Sequence, residues 1–416
     1  MKEKAVRLLR WTEQYTKTDM VYLLHGGFWL ALAQLAASAA GFVLTVILAN
    51  FLVPESLGEY RFLLAGFTML SIAALPGMRG AVRESTPKGN LGNLRAAFRA
   101  MMRFGTLGSL VAVGAALYYY LEGNVGLTAG FIIIALALPF FDASAVYIEY
   151  LSALKKFKRA TLYTAATRVV LLIIAGGAAL LYPTHAWIIL AAFLFGQTVP
   201  GLIFHRKTRR EFEGENPKSD SALTNYAGHL TAMAALGLLA GQLDKFFVWE
   251  FIGAAGLATL YVAYVLPQEA QRFLGLAAML AFPKFAVTDP NVIKQTLLGK
   301  IFLYFLGIAV CVFIYILIAP YIFTTLFPQY PDAVIYSQVL MLIALSRAFS
   351  PIRTFLTTQK ATGSLYILSV LPPAVRIAVA VVFIMPFGIW GAVAALLAEA
   401  LIRVTLLLIL FYRVRT

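Results

Sequence analysis

The sequence predicts an all-α polytopic membrane protein of about twelve transmembrane helices in two pseudo-symmetric six-helix lobes. Three observations point there: charge is scarce, bilayer-length apolar stretches recur along the whole chain, and basic residues are confined to alternate loops. Of 416 residues, 61% are hydrophobic and 13% charged, whereas a soluble domain is about half apolar and a quarter charged. Mean hydropathy is +0.82. Uninterrupted apolar runs of about 20 residues, each able to cross the hydrocarbon region, argue against a large soluble core.

Hydropathy places the spans at 28–50, 61–85, 99–121, 126–153, 159–182, 186–204, 226–250, 257–283, 294–319, 333–356, 362–385 and 388–411. Residues 1–27 precede them. The first 24 residues carry five Lys/Arg among apolar residues and no small-residue cleavage site. They read as an amphipathic segment on the cytoplasmic surface and not as a signal peptide.

Loop charge alternates. One side holds Lys2, Lys4, Arg7, Arg10 and Lys17, then Lys88, Arg95 and Arg99, then Lys155, Lys156, Lys158 and Arg159. It continues with Arg206, Lys207, Arg209 and Arg210, then Lys284 and Lys294, then Lys360, and finally Arg413 and Arg415. The opposite loops (VPESLGEY, EGN, YPTH, FIGAAG, FPQYPD, MPFG) are short and almost free of Lys/Arg. By the positive-inside rule both termini are expected in the cytoplasm. The net charge of +15 therefore belongs to cytoplasmic loops and implies no nucleic acid.

The stretch 206–225 is the long polar segment and falls at the midpoint, so 28–205 and 226–416 are expected to be two lobes joined by a cytoplasmic linker. At an offset of 203, Leu162-Tyr163 falls on Leu365-Tyr366, Pro183 on Pro386, Trp187 on Trp390, and Ala191-Ala192 on Ala394-Ala395. At an offset of 200, Phe51, Leu52 and Leu57 fall on Phe251, Ile252 and Leu257. Parallel six-helix repeats are a transporter architecture.

Charges inside spans are expensive unless they face a partner or a cavity. Basic ones are Arg79, Arg83, Arg168, Lys245, Arg272, Arg347, Arg353, Arg376 and Arg403; acidic ones are Asp142, Glu149, Asp244, Glu269 and Glu399. Glu269/Arg272 and Glu399/Arg403 share helix faces and neutralise locally, while Arg83, Glu149 and Arg353 can snorkel from cytoplasmic ends. Arg79, Arg168, Arg347 and Arg376 have no sequence-local partner. They are countered by acids on other helices or line a positive, water-filled cavity. With Arg83, they are the candidates for binding an anionic group, because a guanidinium stays charged and bonds phosphate through two N–H groups.

Pro76-Gly77 is expected to break the second span beside Arg79, and Pro267 and Pro372-Pro373 to break or kink the eighth and eleventh. Cys311 is a small packing residue, and His25, His185, His205 and His229 show no metal-ligand spacing. No metal, cofactor or catalytic constellation is expected. A Walker A motif is missing from the sequence, so an ion gradient or the membrane potential would supply the energy, with Asp142, Asp244, Glu269 and Glu399 as coupling candidates.

The stretch 28–65 resembles the opening of Wzx-like O-antigen and polysaccharide flippases, where a first helix ends in a loop with Leu52, Pro54, Gly58 and Tyr60 in the matching places. QLDKFFVWEFIGAAGLATLYVAYVLPQ (242–268) and LSALKKFKRATLY (152–163) are similar to later parts of that family. The resemblance implies the MATE-like fold of the multidrug/oligosaccharidyl-lipid/polysaccharide exporter (MOP) superfamily, working by alternating access in a bacterial or archaeal inner membrane. It also implies an undecaprenyl-diphosphate-linked oligosaccharide as substrate, a glycan polymerase or chain-length regulator as an optional partner, and a monomer. A drug/cation antiporter is the alternative; a surplus of buried Arg has the wrong sign for it, and the first span has no acid. A membrane glycan polymerase or ligase is the third class, disfavoured by the short external loops.

Overall fold

A backbone in hydrocarbon can satisfy its N–H and C=O groups only within its own helix or a closed barrel. Accordingly, the described residues form helices joined by short turns, with no strand among them. The structure is a computed structural model describing residues 20–212, 218–287, 290–359 and 361–413, with side chains described from 34 onward except at 275–295 and 362. Residues 1–19 of the expected N-terminal segment lie outside the described residues, and 20–27 already belong to the first helix.

Two compact units divide the chain, Met1–Leu238 and Leu239–Thr416. In the first, α1 is Met20–Phe51 and α2 is Pro54–Leu70, continued by a 3-10 turn Ser71–Ala74; α3 is Met78–Ser85. Helices α4 (Asn93–Leu121), α5 (Val125–Ala145), α6 (Tyr147–Ala153), α7 (Phe157–Leu181) and α8 (Ala186–Phe212) follow, and α9 (Leu223–Ile252) contains the unit boundary. Residues 206–212, read from sequence as linker, are the last turns of α8; 213–217 lie outside the described residues.

The break between α2 and α3 falls where Pro76-Gly77 predicts it, with a bend of 46°. Leu75 takes a left-handed φ of 57°. Gly77 is required by close approach: a Cβ there would lie 2.4 Å from the Ala227 carbonyl oxygen and 2.6 Å from the Thr231 nitrogen. Its N–H donates to Thr231 Oγ1 at 3.0 Å. Around this break a core of Met78, Val82, Met101, Tyr147, Tyr150 and Leu151 is buried. The loop after α3 is fixed by Ser85, which donates to Asp220 Oδ2 at 2.6 Å and accepts from Asn93 Nδ2 at 3.0 Å.

The second unit holds α10 (Ala254–Val287), α11 (Pro290–Leu326), α12 (Ala333–Met341), a 3-10 stretch Leu342–Phe349, α13 (Ser350–Thr358), α14 (Thr362–Phe387) and α15 (Ile389–Arg413). Helices α14 and α15 lie side by side, as α7 and α8 do in the first unit. The repeated residues fall at matching places: Trp187 and Trp390 are each the second residue of the last helix of their set.

Among the described residues, ten helices are long and apolar enough to cross a membrane, eleven counting the bent α2–α3 pair as one span. The remaining expected span falls on α10, which carries Glu269 and Arg272. Large apolar side chains such as Tyr321, Leu121, Leu303 and Met385 are exposed on the outer faces, as suits contact with lipid. At the other expected sites a break is not seen: α10 continues through Pro267, and α14 through Pro372-Pro373. The tenth span breaks instead, into the eight-residue 3-10 stretch. Ser346 Oγ bonds back to the Ile343 carbonyl at 2.7 Å and Ser350 Oγ to the Arg347 carbonyl at 2.6 Å, and Pro351 supplies no N–H. Both devices weaken α-helical winding.

Candidate anion-binding cavity

Along α15, Leu396, Glu399, Ala400, Arg403 and Leu407 follow the i, i+3, i+4, i+7 rhythm of one helix face. That face lines a cavity of about 230 Å³ in the second unit. Tyr264 and Gln271 enter it from α10, Ser346 and Arg347 from the 3-10 stretch, Ser350 and Arg353 from α13, and Leu368 and Arg376 from α14.

Arg376 is the most deeply placed cation. It donates to Asp244 Oδ2 at 2.7 Å and to Glu399 Oε2 at 3.1 Å, and Arg403 reaches the other oxygen of Glu399. The Asp244 side chain is only 4% exposed and that of Arg376 14%. Arg347 donates to Gln271 Oε1 at 3.1 Å. Four guanidiniums therefore face two carboxylates, leaving two positive charges in excess. Arg347 Nε, Arg376 Nε and Gln271 Nε2 are buried donors without a partner in the structure. A partly open, net-cationic cavity lined by guanidiniums can receive an anion rich in acceptor oxygens.

Winding explains how Arg347 and Arg353 come to the same cavity. Six residues apart in a continuous α-helix, they would point about 120° apart. Three residues of 3-10 helix make a full turn, so the passage through Ser350 brings them to within about 60° of each other. Sequence reasoning assigned Arg353 to the interface and Arg403 to a local pair; both line the cavity. An i+3 reading of RAFSPIR would have found Arg353.

In the first unit Arg79 and Arg83 meet the acids of the fourth span. Arg79 donates to Asp142 Oδ1 at 2.6 Å. Arg83, expected to snorkel, donates to Glu149 Oε2 through Nε at 2.8 Å and through Nη2 at 2.5 Å. Arg168 donates to Gln197 Oε1 at 3.0 Å. Of the expected residues, the second unit thus gathers Arg347, Arg376, Asp244 and Glu399, and the first joins Arg79 to Asp142. Glu269 stays apart from the cavity lining, paired with Arg272 one turn away on α10. No group of three or more His, Cys, Asp or Glu able to hold a metal occurs among the described residues.

Solved structures share this fold over nearly the full chain. An inward-facing multidrug resistance MATE family transporter of the MOP superfamily aligns with a TM-score of 0.66 at 12% identity, covering 93% of this chain and 98% of its own. A eukaryotic MATE transporter aligns at 0.57 and 12% identity, over 95% and 97%. The lipid II flippase MurJ, in an inward closed conformation, aligns at 0.57 and 15% identity, over 91% and 86%. At these identities the likeness establishes the fold alone. No curated protein matches the sequence. A sequence family does: residues 23–288, well over half the chain, match the one described as polysaccharide biosynthesis protein. This multi-pass membrane chain with a MOP-superfamily fold belongs to the polysaccharide biosynthesis protein family.

Proposed function

We propose that this protein is a flippase for a lipid-linked oligosaccharide. It carries a sugar repeat unit on undecaprenyl diphosphate from the cytoplasmic to the outer leaflet of a bacterial or archaeal inner membrane. The observation that supports this reading is the sign of the cavity: four arginines against two carboxylates, at a cavity lined from α10, the 3-10 stretch, α13, α14 and α15. A diphosphate leaving water needs a cationic, hydrogen-bonding surface to replace its hydration, which a cation exporter has no use for. At about 230 Å³ the cavity is smaller than the ~300–1,000 Å³ that holds a drug-sized ligand, so it suits the diphosphate, with sugar and lipid outside it.

Arg347, Arg353 and Arg403 are the groups assigned to the phosphates, with Arg376 as the fixed charge behind them. Arg79, Arg83 and Arg168 carry the positive potential in the N-terminal unit, moderated by Asp142 and Glu149. Asp244 and Glu399 compete with phosphate for the same guanidiniums, so protonation of either favours anion binding; this makes them the coupling candidates. The termini are placed in the cytoplasm, and the working unit is a monomer.

The test is reconstitution with a labelled polyprenyl-diphosphate oligosaccharide, comparing the wild type with Arg347→Ala and Arg403→Ala. Outward movement should be lost in both. Wild-type rates in both variants would overturn the diphosphate reading.

A further inference from the structure

On the first unit, the start of α7 and the end of α8 stand together, and cations converge there. Lys156 Nζ and the Arg159 guanidinium carbon lie 5.9 and 5.3 Å from the centre of the Phe212 ring. Lys207 Nζ is 5.9 Å from the ring of Tyr163, which stacks on Phe204 at 4.3 Å. Arg159 is ion-paired with Glu211, and Lys207 and Lys156 also act electrostatically on that carboxylate. Three cations are thus held by aromatic rings around one acid, leaving net positive charge that no transport role above uses.

What lies alongside identifies the occupant. Leu162, Val169 and Ile173 on α7 are exposed, as are Val199 and Ile203 on α8. Both helices are apolar enough to span a bilayer, so these faces meet acyl chains. Arg159 precedes Leu162 by three residues and Lys207 follows Ile203 by four, so each cation sits one turn beyond the apolar stripe on its own helix. A cationic cluster capping a lipid-facing stripe has the layout of a phospholipid: phosphate above, chains below.

We infer that Lys156, Arg159 and Lys207 form a binding site for the phosphodiester headgroup of an anionic phospholipid of the adjoining leaflet. Glu211 is the internal competitor, holding Arg159 in place and limiting the affinity. The site lies apart from the cavity of the second unit and stands independently of the flippase reading.

The test uses the full chain in nanodiscs of phosphatidylcholine doped with spin-labelled phosphatidylglycerol, reading the enrichment of immobilised label over a spin-labelled phosphatidylcholine control. The wild type should enrich the anionic lipid. Each surface charge is worth about fivefold in partitioning, so a Lys156→Gln/Arg159→Gln/Lys207→Gln variant should lose enrichment by about tenfold or more, while Arg413→Gln changes little. Glu211→Gln should raise enrichment, an outcome misfolding cannot imitate. Wild-type enrichment in the triple variant, or a fall in Glu211→Gln, would overturn the inference. Displacement of the label by inorganic pyrophosphate from the aqueous phase would overturn it too, by assigning the cluster to a soluble phosphate.

Discussion

Arg376→Met is the most informative single change, because it separates the structural from the functional use of a buried charge. Asp244 is 4% exposed and meets Arg376 at 2.7 Å, so removing the guanidinium strands a carboxylate. Glu399 is not stranded, because Arg403 still holds it. Removing one partner of a buried pair is destabilising by about 3–5 kcal/mol, and that is the expected loss. Asp244→Asn leaves Arg376 with Glu399 at 3.1 Å. Its loss is one charge-assisted hydrogen bond, about 2 kcal/mol. The double variant removes both charges and should recover most of what Arg376→Met loses, giving a coupling of at least about 2 kcal/mol. The assay is reversible unfolding in mixed micelles by titrated dodecyl sulfate on all four proteins of the cycle. Single losses that add to the double within about 0.5 kcal/mol would refute the buried pair. The double variant keeps three arginines against Glu399, the same excess of two positive charges, so it should regain movement of the diphosphate lipid together with stability.

Gly77→Ala places a Cβ against main-chain atoms of α9 that cannot swing aside; thermal unfolding should show a loss of about 1–3 kcal/mol, and an unchanged midpoint would refute the close approach. The clasp at Ser85 and Asp220 is pH-sensitive. The Ser85 hydroxyl, then the Ala222 N–H, hold the Asp220 carboxyl below its usual range, so the stabilisation is present above about pH 4 and is lost as pH falls through the lower folded value. Protease nicking of the 218–222 segment should therefore rise in acid for the wild type and be pH-independent in Asp220→Asn. Arg353→Lys keeps a charge but loses the guanidinium fork, and should weaken diphosphate binding by about tenfold; an arginine merely anchored at the interface would show no change.

The helical class and the span positions were legible because a bilayer imposes a length and a polarity that survive any side-chain detail. Pro76-Gly77 was legible as a break for a similar local reason. Pro267 and Pro372-Pro373 carry the same local signal, yet α10 and α14 run on through them. Neighbouring helices can re-satisfy the carbonyls that a proline frees, and sequence does not show which neighbours do so. Arg376 and Arg347 stood out as cations without local partners. That Asp244, 132 positions away, meets Arg376 is a tertiary fact invisible to helix spacing. Arg353 and Arg403 did not stand out as lining residues for different reasons, the first because it lies near the cytoplasmic end of its span, the second because its i, i+4 pairing with Glu399, present in the structure, made its charge look spent.

The 3-10 stretch Leu342–Phe349 also has a length. Eight residues rising about 2.0 Å each cover roughly 16 Å, where an α-helix would cover about 12 Å. The tenth span thus stores about 4 Å of contour in its middle, between an α-helical segment of nine residues on either side. Rewinding it would draw the two ends together by that amount and turn Arg353 away from the row that Arg347 occupies. A single backbone transition in this one span would shorten the path across the membrane and withdraw one of the four lining arginines at the same stroke.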